Sequence, residues 1–349
     1  MRNNFGSARI LDRLRPILAG LFLLHPYLCL AAEVQTSSNP LCAVALDGPI
    51  VPGDANRLES VLRESSLDAL DERSTTICLR SSGGSFDEAI KLANLIYDKG
   101  ISTIVVDGSE CYSACAFIFM SGVVTDRAAP YRKLSARAAL GFHAPFLSVQ
   151  DGRYTRNQVE EFSEDLRKAV LALLRLSVKS TVLGGSDFLK KSLLIRILES
   201  GPGEVSTVKT VADAARWNIE IYDADEQFPA PTEIEAIKNV CNNFHYARLD
   251  KAVTTLPELS LKVETYSSKY HQEDGRVLVI DSRTSDTICE IYPRTFNGGD
   301  KVSFFACSYD YWSSNSFGDC RQYKSSPLIG HFVPRFFRYS PDTRLKAAN

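Results

Sequence analysis

The sequence has few of the features that mark metal-binding or nucleic-acid-binding proteins. It contains five histidines among 349 residues, and none stands at a paired ligand spacing with Cys, Asp or Glu. The net charge is -2 and no block of basic residues occurs, which argues against nucleic acid as a partner. No Lys-Ser or Lys-Thr follows a glycine-rich loop at the spacing of a phosphate-binding loop. We therefore expect no metal, no cofactor and no nucleic-acid partner.

The sequence also lacks an apolar run of comfortable membrane-spanning length. The run at residues 17–24 is short and is interrupted by His25-Pro26. Arginines precede it and Ala31-Ala32 follows it, which is the order of a secretory signal peptide over residues 1–32. The alternative is an uncleaved segment that anchors the protein to a membrane. We expect a periplasmic or secreted protein.

Export changes how the cysteines are interpreted. Removal of the signal peptide, which contains Cys29, leaves eight of the nine cysteines. In an oxidising compartment an even number favours disulfides over metal ligands, and a reactive role for Cys111 or Cys115 is the alternative. Four precede residue 120 and four follow residue 240, so pairing within each half is the simplest arrangement. The eight are Cys42, Cys78, Cys111, Cys115, Cys241, Cys289, Cys307 and Cys320.

Predicted strands and helices alternate from residue 42 to residue 221, which is typical of a parallel α/β domain. The polar and basic stretch 126–137 is predicted to be a loop or an edge strand. The hydrophobic fraction of 44% suffices for a sizeable core. The predicted strands are 42–46, 75–79, 101–106 and 219–221, and the predicted helices are 54–71, 86–99, 157–180, 187–197 and 211–217.

Residues 223–231 have the acidic and proline-containing composition of a linker. They divide the mature chain into an α/β domain at 33–225 and a C-terminal module at 226–349. A helix at 233–243 followed by strand-like runs predicts a small β-rich module that is stapled by its four cysteines. A structural or dimerising role is the favoured interpretation, and peptide or glycan binding by its aromatic residues is the alternative. The runs are 276–281, 287–292 and 302–309, and the aromatic residues are Tyr309, Tyr311, Trp312 and Phe317.

Ser113 is the most informative polar residue. The β-branched run 101–106 ends at a turn, Asp107-Gly108, and after Ser113 the chain becomes small and apolar, like a buried helix. The unpaired N–H groups and the dipole of a helix N-terminus stabilise negative charge. This position suits a serine that must carry an oxyanion, and the alternative is an ordinary helix N-cap.

A serine nucleophile needs a base within hydrogen-bond reach. His143 is the only histidine between the signal peptide and the linker, and its alternative role is a hydrogen-bonded core histidine. Gly83 and Gly84 follow a predicted strand and permit positive φ and close approach of the backbone. Their N–H groups could stabilise an oxyanion beside that of Ala114, and a plain strand-to-helix turn is the alternative.

Several of these segments together resemble the Clp protease/crotonase superfamily, and more narrowly its predicted periplasmic Clp-protease-like branch. The resemblance covers residues 40–224 and lies in the combination of motifs. It implies a core of repeated ββα units arranged in a spiral. The matching segments are ALDGPI at 45–50, SSGGS at 81–85, ISTIVVDG at 101–108, SACAFIFMSG at 113–122 and GFHAP at 141–145.

The resemblance implies that Ser113 is the nucleophile and His143 the general base, with the N–H groups of Gly84 and Ala114 as the oxyanion hole. It also implies that the glycine-rich segment, with Gly83 and Ser85, borders a groove where an extended peptide pairs with strand edges. We therefore expect an exported serine peptidase that acts on a peptide or protein substrate. Homo-oligomerisation is left open.

The third member of a catalytic triad has no clear counterpart in the sequence. No Asp stands just before the predicted helix at 211–217, where the family places its acid. Glu204 is the nearest carboxylate and is the predicted acid, whereas Asp213 lies within the helix and is predicted to face solvent. An acid holds the imidazole in the correct tautomer, so its absence would imply a Ser–His dyad or a weakened enzyme.

Other interpretations follow from this departure. A non-catalytic periplasmic binding or scaffold protein on the same fold is the first, because the acid is missing. An acyl-CoA enzyme of the crotonase type is the second, and export and the Ser–His pair argue against it. A Ser–Lys membrane peptidase is weaker, because His143 occupies the region of the base.

Overall fold

The computed structural model describes most of the α/β region and parts of the C-terminal region. The described residues are 32–64, 75–124, 129–145, 152–179, 188–201, 203–250, 261–267, 275–281, 287–295, 302–308 and 332–346. The following predicted features lie outside them: signal residues 1–31, the end of the first helix, the start of the helix at Asp187, Cys320, and the aromatic residues at 309–317.

Strands and helices alternate along the α/β region, as the sequence predicts. The strands are β1 (Glu33–Thr36), β2 (Val44–Asp47), β3 (Thr76–Arg80), β4 (Ser102–Val105), β5 (Glu110–Tyr112), β6 (Arg132–Leu134), β7 (Ala139–Phe142), β8 (Ser206–Thr207) and β9 (Glu220–Ile221). The helices are α1 (Asp54–Glu64), α2 (Phe86–Lys99), α3 (Ala114–Met120), α4 (Arg156–Ser177), α5 (Lys191–Glu199), α6 (Val211–Arg216), α7 (Ala224–Gln227) and α8 (Glu233–Leu249).

Two sheets organise this region. The larger has the strand order β1-β2-β3-β4-β6-β9, in which β1 is antiparallel to β2 and every other neighbouring pair is parallel. The smaller has the order β5-β7-β8, in which β5 is parallel to β7 and β8 is antiparallel to β7. The α/β class is therefore confirmed, with a mixed sheet.

Local sequence sets the bounds of α2. The Ser85 hydroxyl accepts a hydrogen bond from the Glu88 N–H, and Gly100 ends the helix at φ 64°. The side chains of Ala89, Leu92, Ala93 and Ile96 are buried at helical spacing against the same core that holds α3.

The prediction of a loop or an edge strand over 126–137 is wrong for β6, which lies inside the larger sheet between β4 and β9. Residues 126–128 of this stretch lie outside the described part of the chain. The first residue of β6, Arg132, is buried, and burial lowers the pKa of its guanidinium to about 9. The guanidinium donates to the Trp217 carbonyl at 3.4 Å and lies 5.8 Å from the centre of the Phe188 ring. These contacts with residues distant in the sequence stabilise the Arg132 guanidinium in the interior, whereas the polar sequence pattern predicts this side chain at the surface.

Parts of the C-terminal region share the core of the α/β region. Val240, Cys241 and Phe244 of α8 belong to the main hydrophobic cluster, as do Phe336 and Phe337. Farther along the same segment, the Thr343 carbonyl accepts from the Val211 N–H at 3.0 Å, at the start of α6. The α8 helix and residues 334–346 therefore pack on the α/β body, although both fall within the predicted C-terminal module.

A separate antiparallel sheet lies between those two segments in the sequence. Its strands are β10 (Leu261–Ser267), β11 (Gly275–Asp281), β12 (Thr287–Thr295), β13 (Val302–Ser308) and β14 (Phe332–Val333), in that order across the sheet. The β-rich character of this stretch is as predicted. Among the described residues, no helix has the length and the apolar character that a membrane span requires.

Two disulfides join cysteines of the N-terminal half, as predicted. Cys42 pairs with Cys78 at a sequence separation of 36, and Cys111 pairs with Cys115 at a separation of 4. Chain entropy predicts about 4 kcal/mol of stabilisation from the longer loop and about 2 kcal/mol from the shorter one. In the other half, Cys241 is free and buried, so it does not help to staple the β-rich sheet. The disulfides indicate an oxidising environment.

The expectation that Asp213 faces solvent is wrong. Its carboxylate is buried and accepts from Arg196 at 3.0 Å, from Arg216 at 3.2 Å and from the Lys209 N–H at 3.0 Å. Both guanidinium groups also lie over the Trp217 ring. The Asp213 carboxylate thus neutralises the positive charges of two arginines that pack beside the core.

Asp213→Ala should therefore destabilise the protein by about 3 kcal/mol, since it leaves both arginines without their shared carboxylate. Urea unfolding of the variant and the wild type measures this difference. Asp165→Asn is the matched control, because it removes an exposed ion pair with Lys168 and should leave the midpoint unchanged. Equal midpoints for all three proteins would contradict a stabilising role for Asp213.

Candidate active site

Ser113 lies in a strained turn between β5 and α3. Its backbone has φ 56° and ψ -121°, a conformation that a residue with a Cβ rarely adopts. Ser113 occupies the N-cap position of α3, but its hydroxyl makes no capping hydrogen bond. The capping alternative therefore does not account for this serine. A sharp strand-to-helix turn of this kind presents a serine hydroxyl for reaction.

Backbone hydrogen bonds from two other segments hold the turn. The Ser113 N–H donates to the Gly141 carbonyl of β7 at 2.9 Å. The Tyr112 N–H donates to the Ser81 carbonyl at 3.0 Å, and the Ser81 N–H donates to the Glu110 carbonyl at 2.9 Å. The chain that follows β3 thus pairs with β5 on one side, while β7 pairs with β5 on the other.

The glycine-rich segment lies directly against Ser113. A Cβ added to Gly83 would stand 2.7 Å from the Cβ and 3.2 Å from the Oγ of Ser113. A Cβ added to Gly84 would stand 2.2 Å from the carbonyl oxygen of Ile50. Both positions have positive φ, at 110° and 143°, so glycine is required by sterics and by backbone conformation.

The amides and hydroxyls of this segment have distinct partners. The Gly83 N–H donates to the Ser81 hydroxyl at 3.1 Å. The segment also pairs with Ile50, which donates to the Gly83 carbonyl and accepts from the Ser85 N–H, each at 2.8 Å. Gly84 is exposed, whereas the Ser85 hydroxyl caps α2.

His143 follows β7 just as Ser113 follows β5. The two strands are parallel with Tyr112 opposite Gly141, so the two side chains leave the carboxyl ends of neighbouring strands. His143 is half-buried, and its Nδ1 lies 2.8 Å from the Ala144 carbonyl oxygen. Because a carbonyl only accepts, this contact assigns the proton to Nδ1 and leaves Nε2 as the basic nitrogen.

Ala114 is the first residue of α3 and is buried. At that position a backbone N–H has no partner within its own helix.

The aromatic ring of Tyr112 covers Gly141, where an added Cβ would stand 2.6 Å from Cδ1 of the ring. Burial, with a smaller contribution from Glu110, raises the pKa of the Tyr112 phenol.

Glu204 lies in the turn before β8, near the same end of the smaller sheet. Strand β8 runs antiparallel to β7, and Ser206 pairs with Phe142. The turn that holds Glu204 precedes Ser206, so it lies beyond this pair on the same side as His143, which follows Phe142. Glu204 is exposed, and its Oε2 accepts from the Gly201 N–H at 3.1 Å. Its assignment as the catalytic acid stays a prediction.

Two features of this site are not evident from the sequence. One is the contact of His143 with the Ala144 carbonyl, because no pattern of side chains in the sequence indicates a contact with a backbone carbonyl. The other is the Cys111–Cys115 disulfide, which the sequence leaves open among several pairings and which encloses Ser113.

Compared with known proteins, the chain matches no family model and no curated protein sequence.

Gly83→Ala should cost about 3 kcal/mol of folding free energy, because the new methyl group overlaps Ser113 and the backbone is strained. Gly108→Ala is the matched control, since Gly108 also has positive φ, at 67°, but an added Cβ meets nothing within 4 Å. We expect the control to lose about 1 kcal/mol from strain alone. Thermal unfolding of both variants measures the difference, and equal losses would show that Gly83 does not touch Ser113.

Proposed function

We propose that this protein is an exported serine hydrolase, with peptides as its substrates and Ser113 as its nucleophile. The observation that carries the proposal is the strained turn at Ser113. The Ser113 hydroxyl is not used for capping, and the turn lies against Gly83 and beside β7, the strand that His143 follows. Backbone strain of this kind persists when the surrounding structure enforces it, and it concentrates at active sites.

The reaction that suits these groups begins with attack of the Ser113 Oγ on the carbonyl carbon of the substrate. His143 Nε2 takes the hydroxyl proton as the Oγ–C bond forms. Collapse of the tetrahedral intermediate breaks the C–N bond, and the imidazolium gives its proton to the leaving amine. Water then attacks the acyl-enzyme, with His143 again as the base, and releases the acid and free Ser113.

The N–H groups of Gly84 and Ala114 would stabilise the oxyanion. Gly83 is less suited to this role because its N–H already donates to Ser81. The Ala114 N–H starts α3, where the positive end of the helix dipole favours the developing negative charge. Gly83 would border the substrate chain. Ser85 would contribute through its backbone, since its hydroxyl caps α2.

In this proposal the Ala144 carbonyl takes over the orienting role of the acid. It accepts from Nδ1–H of His143 and so fixes the tautomer in which Nε2 is the base. A neutral carbonyl stabilises the imidazolium less than a carboxylate does. The site is thus proposed to work as a Ser–His dyad.

The fold and the location extend the proposal. The alternation of parallel strands and helices supports a Clp/crotonase-like spiral core, with the sequence motifs at the strand ends where the site lies. The two disulfides support a periplasmic or secreted protein.

The proposal predicts covalent labelling of Ser113 by a fluorophosphonate probe. Ser113→Ala should abolish labelling, and His143→Ala should slow it by about a hundredfold or more because the general base is lost. Intact-mass spectrometry and peptide mapping measure the labelling and locate it. Ser163→Ala, at an exposed position of α4, is the control and should label like the wild type. If the folded wild type is not labelled at any pH tested, the hydrolase proposal is wrong and a non-catalytic binding protein becomes the better description.

Glu204→Gln distinguishes the dyad from a triad. The dyad predicts a labelling rate within about twofold of the wild type, because the Glu204 carboxylate contacts its own turn at Gly201. A loss of more than tenfold would instead identify Glu204 as the acid that the sequence predicts. The second-order rate constant across pH is the quantity to compare, with circular dichroism as the check of folding.

A further inference from the structure

The Cys111–Cys115 disulfide crosses the turn that carries Ser113. Cys111 is on β5, opposite Leu140 of β7, and Cys115 is the second residue of α3. Ser113 is midway between them in the sequence, and both cysteines are fully buried. We propose that this disulfide is a positioning element that holds Ser113 in its reactive conformation. The inference deepens the proposed hydrolase function and rests on it.

The backbone of Ser113 needs restraint on both sides. On the strand side, the N–H groups of Tyr112 and Ser113 are fixed by the carbonyls of Ser81 and Gly141. On the helix side, the Ala116 N–H donates to the Ser113 carbonyl at 3.0 Å. These bonds fix each element by itself, but no hydrogen bond among them joins β5 to α3 directly. The disulfide makes that connection across the strained residue.

The disulfide is poorly placed for a general stabilising role. The stabilisation that a disulfide gives through chain entropy grows with the length of the loop, and this loop is much shorter than that of Cys42–Cys78. A short loop instead restricts the few dihedral angles inside it, and those include φ and ψ of Ser113. Burial of both sulfur-bearing residues also argues against a nucleophilic role for either cysteine.

The second disulfide provides a matched control. Cys42 precedes β2 and Cys78 lies on β3, in a hydrophobic cluster with Ile104 that is separate from the cluster around Ser113. The double variants Cys111→Ala/Cys115→Ala and Cys42→Ala/Cys78→Ala each remove one disulfide and leave two methyl groups. Any difference in labelling rate between the two double variants therefore reflects the position of the lost disulfide relative to Ser113, and not merely the loss of a disulfide.

The test compares both variants with the wild type in fluorophosphonate labelling, below the melting temperature of the least stable protein. Cys111→Ala/Cys115→Ala should lower the maximal inactivation rate by about tenfold to a hundredfold through misplacement of Ser113, with the probe's half-saturating concentration unchanged. Cys42→Ala/Cys78→Ala should show the larger fall in melting temperature and a labelling rate within about twofold of the wild type. Unchanged labelling of Cys111→Ala/Cys115→Ala, or an equal loss in both variants, would overturn the proposal.

Hydrogen–deuterium exchange separates this inference from the proposed function. Without the disulfide, the amides of residues 113–116 should exchange at least tenfold faster, whereas those of α2 should keep their wild-type rates. Cys42→Ala/Cys78→Ala should leave the exchange at 113–116 unchanged. If the wild type is not labelled, the hydrolase proposal fails, and the exchange rates still decide whether the disulfide restrains this turn. Equal exchange at 113–116 in all three proteins would show that it does not.

Discussion

The candidate site depends on the parallel pairing of β5 with β7, which brings together two stretches that the sequence separates by about thirty residues. The last hydrogen bond of that pairing, from the Ser113 N–H to the Gly141 carbonyl, fixes the backbone at the point where the strand turns into α3. The Ser81 carbonyl restrains the same strand from its other side through Tyr112. A slip of one residue in this register would change the position of Ser113 relative to His143.

The geometry at Gly83 shows how closely the site is packed. A Cβ at Gly83 would meet the Ser113 side chain and the Tyr112 carbonyl, and a Cβ at Gly84 would meet the backbone of Ile50, so three separate segments approach one another at these two glycines. Backbone contacts of this kind leave little room for adjustment, because a clash with backbone has no rotamer that can relieve it. The glycines therefore set how closely their own segment, with the Gly84 amide proposed to stabilise the oxyanion, approaches Ser113, the proposed nucleophile.

Much of this arrangement can be predicted from local sequence, and the remainder cannot for two physical reasons. The bounds of α2 follow from the Ser85 cap and from Gly100, which are local signals. The interior position of β6 and the burial of Asp213 could not be predicted because each charge has a partner on another element of the fold, Trp217 for Arg132 and Arg196 of α5 for Asp213. The contact of the Ala144 carbonyl with His143 could not be predicted for a different reason. Every residue has a backbone carbonyl, and only the fold determines where that carbonyl points.

The return of residues 334–346 to the α/β body has a consequence for the β-rich sheet. The α8 helix precedes the sheet in the sequence and residues 334–346 follow it, and both pack on the body. Strands β10–β14 therefore form an insertion rather than a tail. An insertion is tethered at both ends, so it cannot swing as freely as an appended domain on a single linker. The segment that leaves the sheet also supplies the Thr343 carbonyl at the start of α6. A displacement of the inserted sheet would therefore be transmitted to the body through two covalent attachments, one of which ends at the helix that carries Asp213.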